Sequence, residues 1–182
     1  MKNYILSAFR LTLVMLVIVG IYSGIVYAGS KVLPTQGNAE IINYKGQKFY
    51  ANIGQEFKSP EYFHGRPSSV NYNAAGSAGS NKGPSNEEYL QTVQKRIDTL
   101  KMQNPEMQNV KVPVELVTAS GSGLDPDISP EGALYQARRI SKQRNIPLDK
   151  IENLIAGQTE TSAFGPSKVN VLKLNIALNE LK

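Results

Sequence analysis

The chain has 182 residues, with 20 Lys and Arg against 15 Asp and Glu, a single histidine and no cysteine. Without cysteine there is no disulfide framework, thiolate nucleophile or Cys-based metal site, and one histidine supplies neither HExxH nor a histidine cluster, so no metal centre is expected. A formal net charge of +5 is spread too thinly for the clustered basic face of a nucleic-acid binder.

The first predicted element is a membrane span. No residue between Arg10 and Lys31 is charged, and Leu11 to Ala28 reads LTLVMLVIVGIYSGIVYA. A spanning helix needs roughly 20 apolar residues, which predicts a cytoplasmic N-terminus over 1–10 and a transmembrane helix over 11–30. Lys2 and Arg10 precede the span with no acid nearby, and the positive-inside bias therefore turns the N-terminus inward and the rest of the chain outward. Val26-Tyr27-Ala28 before Gly29 has the spacing of a signal cleavage site. The apolar run is longer than the roughly 7–15 residues of a signal core, which favours a retained anchor. Gly20, Gly24 and Ala28 recur every four residues beside Ser23 and Tyr27, a small-residue stripe that lets a partner helix approach closely in lipid.

Pro34 and Gly37 mark 31–37 as a linker, and 38–182 is read as one domain. With two basic residues ahead of the span, the outer part carries 18 basic and 15 acidic residues, a net of only +3. AEIINY and QKFYANIG, separated by Lys45-Gly46, predict a β-hairpin. Tyr62 to Ser85 is too rich in Gly, Ser, Asn and Ala for a regular element, and loops of this length are usually functional or disordered. Ser85 with Glu88 forms a capping-box pattern, opening a helix with a Leu90, Val93, Ile97, Leu100 stripe that stops before Pro105. PVELVTAS (Pro113 to Ser120) reads as a short buried strand running into the GSGLDPDIS loop. Ser129 and Pro130 open a helix whose Ala133, Leu134, Ala137 and Ile140 face inward. Pro147 starts another, with Gly157 as its C-cap. VNVLKLNIALNEL fits either strand or helix, and is assigned as a strand to about Asn175 followed by a helical tail. The fold class is thus α/β: one N-terminal transmembrane helix followed by a single mixed α/β extracytoplasmic domain, with helices on a small sheet.

The candidate chemistry is thin. Ser120 and Ser122 sit at a strand-to-loop turn, but neither has Gly two before and two after, as a nucleophile elbow requires, and His64, the one imidazole, lies on another loop. Gly79 to Gly83 lacks the GxxxxGK order of a phosphate loop. Arg66 offers an anion contact, and Tyr62, Phe63 and Tyr72 a docking surface. Asp125 and Asp127 supply two carboxylates where Ca²⁺ takes six or more oxygens. On these residues alone, a signal-anchored extracytoplasmic hydrolase or binding protein stays open as an alternative.

YFHGRPSS (Tyr62 to Ser69), GSAGSN (Gly76 to Asn81), VTASGSGLDPDISPEGA (Val117 to Ala133) and VNVLKLN (Val169 to Asn175), behind one N-terminal span, resemble the C-subunit (KdpC) family of the bacterial high-affinity potassium-transporting P-type ATPase. The resemblance implies a non-catalytic accessory subunit of the bacterial inner membrane, needed for assembly and acting as a catalytic chaperone that raises the pump's ATP affinity. It implies three partners: a channel-like potassium-translocating subunit, an ATP-hydrolysing P-type subunit and a small single-span subunit. Gly20, Gly24 and Ala28 would then meet a partner helix within membrane lipid, and Arg66, Ser80, Asn81, Ser120, Gly121, Ser122, Gly123 and Asp125 would lie on partner-contacting loops. No cofactor of its own is implied. ATP enters through Leu154-Ile155-Ala156-Gly157-Gln158, which parallels an LSGGQ-type signature apart from Ile155 and Ala156 and makes Gln158 the candidate nucleotide contact. An outward domain is on the wrong side for cytoplasmic ATP, and a helix end closed by Gly157 lacks the N–H groups that bind anions.

Overall fold

The structure, a computed structural model, describes residues 2–162 and 165–181; the first residue of the predicted 1–10 segment and residues 163, 164 and 182 of the predicted 38–182 domain lie outside them. The chain divides into two compact units, Met1–Glu40 and Ile41–Lys182.

In the first unit, α1 runs over Lys2–Ser30, so the segment read as the N-terminus ahead of the span is helical and continuous with the apolar run. The stretch long and apolar enough to cross a membrane is Tyr4–Ser30. Gly20 and Gly24 have open space where a Cβ would stand, so the predicted stripe is uncovered.

The second unit begins with the expected hairpin. β1 (Ile41–Tyr44) pairs antiparallel with β2 (Gln47–Tyr50), with Tyr44 opposite Gln47. Lys45 and Gly46 both take positive φ, 48° and 79°. That is the two-residue turn whose twist matches paired strands, and glycine makes its second position free of strain. After the long loop comes α2 (Glu87–Gln103). The predicted Ser85 cap is displaced by one residue: Asn86 Oδ1 accepts from Tyr89 N at 2.9 Å, and Glu88 reaches Lys82 at 2.8 Å instead of closing a capping box. Leu100 is buried and Val93 and Ile97 partly so, whereas Leu90 remains half-exposed.

The strand expected over Pro113 to Ser120 does not form. Val114–Leu116 is a single 3₁₀ turn, and Glu115 Oε1 reaches across to accept from Ser129 N at 2.8 Å and Ser129 Oγ at 2.6 Å. Ser129 nevertheless caps α3 (Pro130–Arg144), accepting from Gly132 N at 3.0 Å. Ala133, Ala137 and Ile140 are buried in α3 as expected, but Leu134 is 43% exposed. Leu134 lies about 100° round the helix from Ala133, outside the arc that Tyr135, Gln136 and Arg139 complete. In α4 (Leu148–Gln158) the chain stays helical through Gly157 and the C-cap is Thr159, which starts β4 (Thr159–Ser162). Gly157 is therefore not the cap.

The terminal ambiguity resolves at Asn170. β5 (Gly165–Asn170) ends there, and α5 (Val171–Glu180) follows directly, five residues earlier than the predicted switch. β5 lies between the short β3 (Asp127–Ile128) and β4, antiparallel to both. Helices α3, α4 and α5 pack on this strand, and Phe63, Ile140, Ile151, Ile155, Val169, Leu174 and Leu178 fill the core between them.

Asn170 makes the switch through both ends of its amide. Its Oδ1 accepts from Lys173 N at 3.0 Å, capping α5, and its Nδ2 donates to the Ala51 carbonyl at 2.7 Å. Asn170→Ala is expected to lower stability by about 1–3 kcal/mol, from the lost cap and the stranded buried carbonyl. Urea unfolding of the full chain in detergent checks it, with Asn170→Asp, which keeps the cap and loses the donor, falling between parent and alanine variant.

Candidate functional site

The site is built outward from a buried polar network. Segment 60–64 belongs to no strand, yet side chains partner most of its backbone, with Tyr62 N donating to the Ser59 carbonyl at 3.2 Å. Asn175 Oδ1 accepts from Phe63 N, and Asn175 Nδ2 donates to Phe63 O, both at 2.9 Å. Gln136 repeats this one residue later, accepting from His64 N at 2.8 Å and donating to His64 O at 3.1 Å. Arg139 donates to the carbonyls of Pro60 and Tyr62, to Asn104 Oδ1 at 3.3 Å and to Gln136 Oε1 at 2.8 Å. Phe63 is thereby driven fully into the core. Gln136 and Arg139 lie on or beside the apolar face of α3, and Asn175 lies between Leu174 and Leu178 on α5. A polar residue at an inward position of a helix was the available signal.

Beyond this strap the chain makes two loops that grip each other. Ser68 Oγ donates to Gly123 O at 2.6 Å and accepts from Tyr72 N at 2.9 Å. Ser120 N donates to Pro67 O at 3.2 Å, and Ala78 N donates to Ser122 O at 3.0 Å. Ser77 Oγ reaches the same Ser122 carbonyl at 3.0 Å, and Ser69 Oγ donates to Ala78 O at 2.6 Å. The long polar segment is therefore ordered by distant hydrogen bonds to residues 120–123 together with local turns. Arg66 Nη1 pairs with Asp125 Oδ2 at 3.1 Å, both side chains about 30% exposed. Asp125 Oδ1 meanwhile accepts from Asp127 N at 3.1 Å. Tyr72 OH donates to the Arg66 carbonyl. Its burial, with Glu56 and Asp125 adding to it, pushes the phenol up to about 12, so it stays a donor throughout the physiological range.

The structure thus brings together Arg66, Asp125, Ser120, Gly121, Ser122 and Gly123. Ser80 lies at the edge of a smaller cavity with Ser69, Lys82 and Arg96, and Asn81 takes a left-handed backbone, φ 52°. Gln158 is apart from all of these, at the last position of α4, where a helix presents carbonyls. Gly20, Gly24 and Ala28 belong to the other unit.

The serines and the histidine have separate partners. The imidazole Nε2 of His64 is bonded to the Ser59 carbonyl at 3.0 Å, and burial holds its pKa below the ordinary value, with Arg139 contributing. Ser122 Oγ accepts from Leu124 N at 3.1 Å. On the opposite side of Arg66, a cleft of about 420 Å³ opens between the 64–72 loop and α2.

Residues 5–180 match the family described as KdpC: K+-transporting ATPase, c chain. The chain is 50% identical over 184 residues to the potassium-transporting ATPase KdpC subunit of Flavobacterium johnsoniae, with 100% of both chains covered. It is 46% identical over 185 residues to that of Flavobacterium psychrophilum, again with 100% of both covered. The subunit of the same name from Bacillus thuringiensis subsp. konkukian is 42% identical over 187 residues, covering 99% of this chain and 97% of the relative.

Proposed function

The chain belongs to the KdpC family, a subunit of the K+-transporting ATPase, and from that premise we propose that it is a non-catalytic accessory subunit held in the inner membrane by α1, with its N-terminus in the cytoplasm and its α/β unit outside. The observation that carries the topology is the charge asymmetry of Tyr4–Ser30, with Lys2 and Arg10 on the N-terminal side and the positive-inside bias acting on them. Its partners are the channel-like potassium-translocating subunit, the ATP-hydrolysing P-type subunit and the small single-span subunit. The gripped loops carrying Arg66, Ser80, Asn81, Ser120 to Gly123 and Asp125 face those partners.

The non-catalytic reading is supported by the partners of His64 and Ser122: the His64 imidazole bonds the Ser59 carbonyl, and the Ser122 hydroxyl serves the loop backbone. Topology is tested in inverted and right-side-out vesicles. Protease added on the cytoplasmic side should leave the α/β unit intact, and the mature N-terminus should lie near Met1. Cleavage of that unit from the cytoplasmic side, or a mature chain beginning at Gly29, would overturn the reading.

Open space over Gly20 and Gly24 suits close helix approach in lipid, where packing rather than the hydrophobic effect drives association. The Gly20→Ile, Gly24→Ile double variant is expected to lose most of its co-purification with the polytopic subunits, and parental yield would reduce the stripe to composition.

With the α/β unit outside, ATP is beyond its reach, and any effect on ATP affinity crosses the membrane as a coupling free energy of about 1–3 kcal/mol between pump conformations. Gln158→Ala should therefore leave the pump's apparent ATP affinity unchanged, whereas the Gly20/Gly24 variant shifts it in whatever complex still forms. A photoreactive ATP analogue that labelled Gln158 in oriented complexes would reverse this conclusion.

A further inference from the structure

The cleft behind Arg66 has a charge pattern that the fold itself does not use. Three cations line it, Arg66, Lys95 and Arg96, against one acid, Glu56. Glu56 is already paired with Lys58 at 3.2 Å. Arg66 is matched by Asp125, yet its Nε is buried without a hydrogen-bond partner. Arg96 donates to the Val117 carbonyl at 3.0 Å and has no carboxylate partner among the described residues. Lys95 on α2 is exposed, and its ammonium has no ion pair or hydrogen bond among the described residues.

The hydroxyl donors on the walls are already engaged. The Thr92 and Thr99 hydroxyls donate back to helix carbonyls at 2.9 and 2.8 Å, and those of Ser68 and Tyr72 donate to loop carbonyls. A free inorganic oxyanion is held by converging N–H groups, whereas here Arg66 on the loop wall is already engaged by Asp125, and the two cations without a carboxylate partner among the described residues, Lys95 and Arg96, both stand on α2. The space of about 420 Å³, with Phe57, Leu100 and Leu116 in its lining, instead suits a side chain that brings a methylene stem and one negative end.

We propose that this cleft seats an Asp or Glu side chain from a loop of a partner subunit, with Lys95 and Arg96 as its counter-charges. The inference rests on the assembly reading above and names the chemistry by which one partner is held. Because the charges are partly exposed, the contact is sensitive to salt.

The test is zero-length carbodiimide cross-linking of the assembled, detergent-purified complex, followed by peptide mass spectrometry. Carbodiimide converts the carboxylate to an O-acylisourea, and the Lys95 amine attacks its acyl carbon and expels the urea, leaving an amide with no spacer. The expected result is a link from Lys95 to an Asp or Glu of another subunit. It should be absent from Lys95→Gln, which lies on an exposed helix face and leaves the fold intact. Lys95→Glu should lose complex yield most at low salt, where the repulsion between the two carboxylates is least screened, and exchange of the linked carboxylate for lysine should restore it. A complex that co-purifies normally while Lys95 links only within its own chain overturns the inference and leaves the assembly reading standing. Protection of Lys95 from acylation by inorganic phosphate, equal in free and assembled chains, also overturns it by making the cleft a free-anion site. If no other subunit co-purifies with the parent chain, both readings fall together.

Discussion

Arg139→Ala is expected to destabilise the α/β unit by about 3–5 kcal/mol, the range for removing one side of a buried charged network. Arg139 is only 5% exposed, and burial lowers its pKa to about 10, so it remains protonated at neutral pH. Among the described residues it has no carboxylate partner. The charge is balanced by oxygen dipoles, the carbonyls of Pro60 and Tyr62 together with Asn104 Oδ1 and Gln136 Oε1. Removing the guanidinium strands several buried acceptors at once, and each is worth about 1–3 kcal/mol when left unmade. A volume argument competes, since a large side chain is also lost. Arg139→Met separates the two, because it keeps most of the packing and none of the hydrogen bonds. Urea unfolding of the full chain should leave Arg139→Met well below the parent. Recovery to parental stability would show that Arg139 only fills space.

The same network shows where reading the chain residue by residue succeeds and where it stops. The apolar helix, the Lys45-Gly46 hairpin and the Ser129-Pro130 opening of α3 were foreseen, because each depends on residues within a few positions of one another. The strand expected over Pro113 to Ser120 depended on apolar content alone, and it lost to a 3₁₀ turn in which Glu115 reaches fourteen residues on to Ser129. The switch from β5 to α5 hinges on one asparagine whose amide answers Lys173 and Ala51 together, the second partner 119 residues away. Order in the 62–85 loop is in good part non-local, since hydrogen bonds run from it to 120–123. For the site, the pairing of the Arg66 and Ser120–Asp125 loops was anticipated only as a shared role. Gln136, Arg139 and Asn175, which strap segment 60–64 in place, were missed because polar residues on helices are ordinarily solvated.

Gly123→Val should be as damaging as the loss of Arg139, through backbone and packing rather than charge. Gly123 has φ 68°, a left-handed conformation that costs an ordinary residue about 1–2 kcal/mol and a β-branched one more. A Cβ built there stands 2.6 Å from Val70 Cγ2 and 2.8 Å from the Ala78 carbonyl, and overpacking of that kind costs about 1–3 kcal/mol. Together these predict a loss of about 3–5 kcal/mol. The loop must also move away from Ser68, whose hydroxyl donates to the Gly123 carbonyl at 2.6 Å. On the proposal that the gripped loops face partner subunits, lower yield of assembled pump should follow. Gly121 is the control: two residues away, a Cβ there meets nothing within 4 Å, so Gly121→Ala should stay within about 0.5 kcal/mol of the parent and assemble normally. Thermal unfolding and co-purification of both variants decide the matter. A Gly123→Val chain as stable as Gly121→Ala would mean that the two loops are not locked together at this position.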